Sequence, residues 1–89
     1  MPKVRLTRGY LRDLKKWRKS GKNLAPLDTF ISLIHSTWPP PVQYEPHMLS
    51  GQLEGILDIH LRQNWVLLLR FEDDTVYILR MGTHADLGL

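Results

Sequence analysis

Residues 57–82, LDIHLRQNWVLLLRFEDDTVYILRMG, decide the fold. Leu57, Ile59 and Leu61 alternate with Asp58, His60 and Arg62, the period-two pattern of a strand with one apolar and one polar face. Gln63-Asn64 reads as a turn. Trp65 to Phe71 is almost continuously apolar, as expected of a central strand covered on both sides, and Glu72-Asp73-Asp74 turns the chain again. Thr75 to Met81 is a third strand, which Gly82 closes.

Outward from this block, the C-terminal side is a short tail, Thr83 to Leu89, whose chemically strong residues are His84 and Asp86. On the N-terminal side, Trp38-Pro39-Pro40-Pro41 cannot continue a helix, because proline lacks the amide donor and biases its predecessor toward extended geometry. The chain from there to Ser50 reads as a connector, with Ser50-Gly51 a turn and Gly55 a bulge. Earlier still, Tyr10, Leu14 and Trp17, with Leu11 beside them, recur at helical spacing from Arg8 to Lys19, and Thr7 is placed to cap that helix. Ser20-Gly21 stops it. A second helix follows, with Asn23 as its cap, Pro26 in its first turn and Leu24, Leu27, Phe30, Ile31 and Ile34 on its apolar face. Lys3 to Leu6 is a short alternating run suited to an edge strand. The order β-α-α-β-β-β predicts an α+β fold in one domain, residues 1–89. Its two helices are expected on one face of a mostly antiparallel four-stranded sheet.

Eighty-nine residues support a single modest core, which rules out a multi-domain enzyme. The chain has no cysteine, so disulfides, thiolate nucleophiles and cysteine-held metals are excluded. With 43% hydrophobic residues and no apolar stretch of about 20 residues, neither a spanning helix nor a secretory signal is expected. Charge is unevenly spread. Residues 1–22 carry nine Lys or Arg against Asp13 alone, net +8, and the remainder carries three Arg against eight acids, net −5. Arg8, Arg12, Lys15, Lys16 and Lys19 form a stripe on the first helix. That stripe implies either a polyanionic or acidic partner or a solvated cationic face.

Four histidines are numerous for this length, and His47, His60 and His84 fall in the second half. His60 shares the polar strand face with Asp58, and a carboxylate beside an imidazole can hold or charge it for acid–base work. The structural alternative is ordinary polar alternation on a solvated face. His35, near the end of the second helix, suits the helix dipole and reads as structural. Three histidines and Asp58 also raise a metal site, but no two histidines stand at local i, i+2 or i, i+4 spacing, and none is expected. No glycine-rich phosphate loop and no strained serine turn occurs, and no cofactor is implied.

His47-x-Leu49-x-Gly51, then Asp58-x-His60 with Trp65, then Gly82-Thr83-His84-Ala85-x-Leu87 together resemble the YafQ branch of the RelE-type bacterial toxins. The resemblance covers residues 44–88, and the N-terminal half matches in element order and basic helix character. It implies a ribosome-dependent mRNA interferase of a toxin–antitoxin module, cleaving mRNA by attack of a ribose 2′-hydroxyl on the adjacent phosphate. It further implies His84 as general acid and His60 or His47 as base or orienter with Asp58 nearby; charge and strand position add phosphate contacts from Arg80 and from Arg62 or Arg70. The family commonly has an acid where this chain has Asn64 and an aromatic where it has Gly88. The partners implied are the ribosome, mRNA and a cognate antitoxin, a heterotetramer being one possible assembly. The setting implied is cytoplasmic, without membrane contact. The basic stripe would then meet ribosomal RNA or an acidic antitoxin segment. A catalytically silent RNA- or antitoxin-binding module is the alternative.

Overall fold

In a computed structural model, which describes residues 2–89, the chain forms β1 (Lys3–Leu6), α1 (Arg8–Lys19), α2 (Ala25–Ile34), β2 (His47–Met48), β3 (Leu57–Arg62), β4 (Trp65–Glu72) and β5 (Thr75–Gly82). Single 3₁₀ turns occupy Val42–Tyr44 and Gly51–Leu53. The α+β class, the two helices and the mostly antiparallel pairing agree with the sequence reading; the number of strands does not. The sheet has five strands, in the order β1-β5-β4-β3-β2, and it is mixed. The added strand is His47–Met48, which pairs antiparallel with β3 inside the stretch read as a connector. Two residues carry no alternation to read. β1 pairs parallel with β5, because the chain crosses over two helices before the meander begins and the first strand docks beside the last. The bulges lie between His60 and Arg62 in β3 and opposite Leu68/Leu69 in β5, not at Gly55.

The meander turns follow from their residues. Asp73 and Asp74 both take positive φ, 51° and 58°, which fits a two-residue hairpin turn whose twist matches the strands. Asn64, φ 57°, closes the β3–β4 turn, and asparagine tolerates the left-handed region better than most residues. Thr7 caps α1 by accepting the Tyr10 N–H at 3.4 Å, and its own hydroxyl donates to Ile78 O at 2.8 Å, so the helix start is tied to β5. The cap position of α2 falls at Leu24, one residue after Asn23, whose side chain still accepts the Ala25 N–H at 3.0 Å.

Both helices pack on one face of the sheet. Tyr10, Leu27, Phe30 and Ile34 meet Ile59, Leu61, Trp65, Leu67, Leu69, Val76, Ile78 and Met81 in one buried cluster. Trp65 belongs to this core, stacked on Trp17 with ring centroids 4.7 Å apart, and Lys22 Nζ lies over Trp17. The opposite face holds the other half of the alternation: Asp58 and His60 on β3, Val66 and Leu68 on β4, Tyr77 on β5. Val66 and Leu68 are buried there too, which accounts for the unbroken apolar run of the central strand.

Burial, with Asp28 nearby, pushes the Tyr10 hydroxyl up to about 12. A folded-state pKa above the unfolded value contributes stability that is complete below the unfolded pKa and is lost as pH rises toward the folded one. Urea midpoints should therefore fall between pH 10 and 12 in the parent chain, and fall less in Tyr10→Phe, measured by tryptophan fluorescence.

Candidate active site

The face opposite the helices gathers the chemistry. β2 sets His47 directly across from Asp58, and directly paired residues project to the same face. His60 stands two residues along β3, across from Val66. The tail after β5 folds back to bring His84 edge-on to His60, with ring centroids 5.2 Å apart and planes at 84°. His47, Asp58, His60 and His84, with Glu45 and Pro46, line one open cleft of about 430 Å³. A second cleft of about 510 Å³ shares Glu45, His60 and His84 and continues past Arg62, Gln63 and Asn64. Asp58 is buried, and its Oδ1 has no hydrogen-bond partner among the described residues. A buried carboxylate oxygen in a cleft lined by imidazoles is an open acceptor for an N–H.

Asn64 fixes the state of His84. Its Oδ1 accepts the His84 backbone N–H at 3.0 Å and lies 2.9 Å from His84 Nδ1. Because the backbone N–H can only donate, the atom it meets is the amide oxygen, and Nδ1 must itself carry a proton to meet the same oxygen. Nε2 is left as the exchangeable nitrogen, a lone pair on the neutral ring and a donor on the imidazolium. The tail is held by a reciprocal pair: Thr83 N–H donates to Asp86 Oδ2 at 3.1 Å, and Asp86 N–H donates to Thr83 Oγ1 at 3.0 Å. Those Thr83 contacts, backbone first, hold the Asp86 carboxyl below its ordinary range. The pair is thus favoured above the ordinary carboxylate pKa and weakens only as pH falls through the depressed one.

The remaining residues expected at the site disperse. Arg62 lines the second cleft, as Asn64 does. Arg70 is exposed on the open face beside Tyr77, outside both clefts. Arg80 departs from the expectation of a free phosphate contact. Its Nε donates to Asp13 Oδ2 at 2.7 Å and its Nη2 to Asp13 Oδ1 at 3.3 Å, and it lines neither histidine cleft. The reason is local: β1 ends opposite Ile78, so the start of α1 covers the next stretch of β5 and draws Arg80 onto the one acid of that helix. Asp13 also accepts the buried Met81 N–H at 2.9 Å. Asp13→Ala should lower the unfolding free energy by about 1–3 kcal/mol through that orphaned amide, read as a lower urea midpoint. Arg8, Arg12, Lys15, Lys16 and Lys19 are all exposed along α1, and His35 sits exposed at the end of α2. Glu45 was missed by sequence reasoning; the signal was an acid two residues before His47 in a proline-bounded loop. Among the described residues no group of three or more His, Asp or Glu is arranged to hold a metal ion, and no helix is long and apolar enough to cross a membrane.

Comparison with known proteins adds an independent line. Residues 2–88 match the family model described as the bacterial toxin of type II toxin–antitoxin systems, YafQ. The mRNA interferase toxin YafQ of Escherichia coli K12 is 34% identical over 79 residues, covering 88% of this chain and 86% of that one. Among solved structures, YafQ from E. coli BL21(DE3) superposes with a TM-score of 0.87 at 27% identity, covering 98% of each chain. The toxin in the E. coli DinJ–YafQ toxin–antitoxin complex superposes with a TM-score of 0.85 at 30% identity, over 97% of this chain and 96% of that one.

Proposed function

The chain belongs to the YafQ family of type II toxins, and on that premise we propose that it is an mRNA interferase, an endoribonuclease restrained by a cognate antitoxin. The observation that carries the chemistry is the meeting of His60 and His84, 5.2 Å apart, in a cleft with His47 and buried Asp58. Cleavage of RNA by its own 2′-hydroxyl needs a base for that hydroxyl and an acid for the leaving 5′-oxygen. The 2′-O–P bond forms as the P–O5′ bond breaks, and one proton leaves while another arrives. Two adjacent imidazoles, one neutral and one cationic, supply both groups without any cofactor. His84, with Nδ1–H held by Asn64, gives the proton from Nε2 to O5′. His60 takes the 2′ proton, with Asp58 and His47 ordering that side of the cleft. Arg62, on the cleft wall, faces the phosphate charge.

The exposed cations of α1 lie on the helix side, so they can hold ribosomal RNA by its phosphates while the open face meets mRNA, a division that suits cleavage on the ribosome. Residues 1–89 act as one toxin domain in the cytoplasm, where its substrate is. Induction of the chain alone should arrest growth and fragment mRNA within open reading frames, and co-expression of its antitoxin should restore both. Unchanged growth with intact transcripts would contradict the proposal.

Asn64 tests the acid. Asn64→Asp places an anion on His84 Nδ1–H, which favours the imidazolium. The alkaline limb of the pH–rate profile should move to higher pH, because a general acid is lost as pH rises through its pKa. Single-turnover cleavage across pH 5.5–9 reads this, and an unmoved limb would remove His84 from the acid role.

A further inference from the structure

Outside the clefts, the open face carries an unassigned row of side chains. Arg70 of β4 pairs with Tyr77 of β5, and Tyr77 pairs with Arg5 of β1, so three neighbouring strands place a half-buried tyrosine between two exposed arginines in register. Their chain neighbours Val4, Leu69, Val76 and Ile78 belong to the helix-side core, which puts the row on the same face as Asp58 and His60. Leu68 and Val66, both buried, floor the stretch between the row and the histidines. From Val66, across from His60, to Arg70 is four residues, about 13 Å at roughly 3.3 Å per residue. The next row, Glu72 and Thr75 with Lys3, brings back an acid and marks the end of the cationic strip.

We propose that Arg5, Tyr77 and Arg70 form a second binding row for single-stranded RNA, gripping a nucleotide a few steps from the one cleaved. Tyr77 supplies a stacking surface and the two guanidiniums supply phosphate contacts. An aromatic between cations on an open sheet is how strands of RNA are held without reading sequence. The row gives this chain an aromatic platform on the cleavage face, which Gly88 at the tail end does not provide. This rests on the open face being where RNA is cut, so the test separates the two.

Binding of 5′-fluorescein-labelled RNA, a trimer and a nonamer, is measured by anisotropy with the full chain carrying His84→Gln to prevent cleavage. Against that parent, Tyr77→Ala should weaken nonamer binding by about tenfold or more and Tyr77→Phe should not. Arg5→Gln and Arg70→Gln, both exposed and harmless to folding, should each reduce the slope of log K against log salt by about 0.7. Trimer binding, which the histidine cleft accommodates, should stay as in the parent. A nonamer held equally by the parent and by the Arg5 and Arg70 variants overturns the proposal, as does a parent that does not hold the nonamer. So does a loss confined to antitoxin affinity, which would make the row a protein contact. Failure of the wild-type chain to fragment mRNA, with the row still binding the nonamer, would instead count against the nuclease reading alone.

Discussion

Replacing His84 by Gln is expected to slow single-turnover cleavage of mRNA on ribosomes by about 10²- to 10⁴-fold and to abolish growth arrest, the range typical for loss of a general acid. Glutamine keeps bulk and a hydrogen bond but cannot deliver a proton. The change should be cheap for the fold: His84 is half-exposed in the tail, outside the core cluster, and its backbone bond to Asn64 survives substitution. Thermal midpoint and antitoxin affinity should remain near those of the parent. A His84→Gln protein that folds normally and cuts at the parent rate would end the assignment, whereas a parallel loss of stability and activity would make His84 structural.

The second large effect is expected at Gly82. A Cβ there would stand 3.0 Å from Asp86 Cβ and 3.1 Å from its Oδ2, so Asp86 has to give way by a few tenths of an ångström. Alanine therefore strains the Asp86–Thr83 pair, and the expected result is a small displacement of the tail that carries His84. Displacements of about 1 Å in reacting groups can cost on the order of 10²-fold in rate. Gly82→Ala, with a shift smaller than that, should lower the cleavage rate by up to that factor while leaving RNA affinity within a few-fold, because the row and stripe cations are untouched. Unaltered cleavage would show that the tail can reposition and that Gly82 does not set its geometry.

Much of this geometry is legible in the sequence because the physics is local. Asp58-x-His60 shares a face by strand alternation, Thr7 and Pro26 mark helix starts, and the run from Trp65 to Leu69 has to be a central strand once both its faces are found buried. What the sequence conceals depends on tertiary placement. The strand His47–Met48 exists only because Asp58 and Leu57 offer it an edge, and its register is what delivers His47 to the cleft. Arg80 looks like a free cation near the site until α1 is seen covering β5, with Asp13 waiting for it. Asn64 reads as a departure from an acid, yet its oxygen makes both contacts that orient His84. The parallel docking of β1, which brings Arg5 beside Tyr77, has no signature within Lys3–Leu6 at all.

The central claim is that RNA is cut by its own 2′-hydroxyl, with histidines moving the protons. The most direct measurement uses an mRNA carrying one 2′-deoxynucleotide immediately 5′ of a mapped cleavage site, translated in the presence of the purified chain. The account predicts that this site alone is spared, that neighbouring all-ribose sites are still cut, and that cut fragments carry a 2′,3′-cyclic phosphate upstream and a 5′-hydroxyl downstream. Cleavage at the deoxy-substituted site, or fragments beginning with a 5′-phosphate, would contradict it.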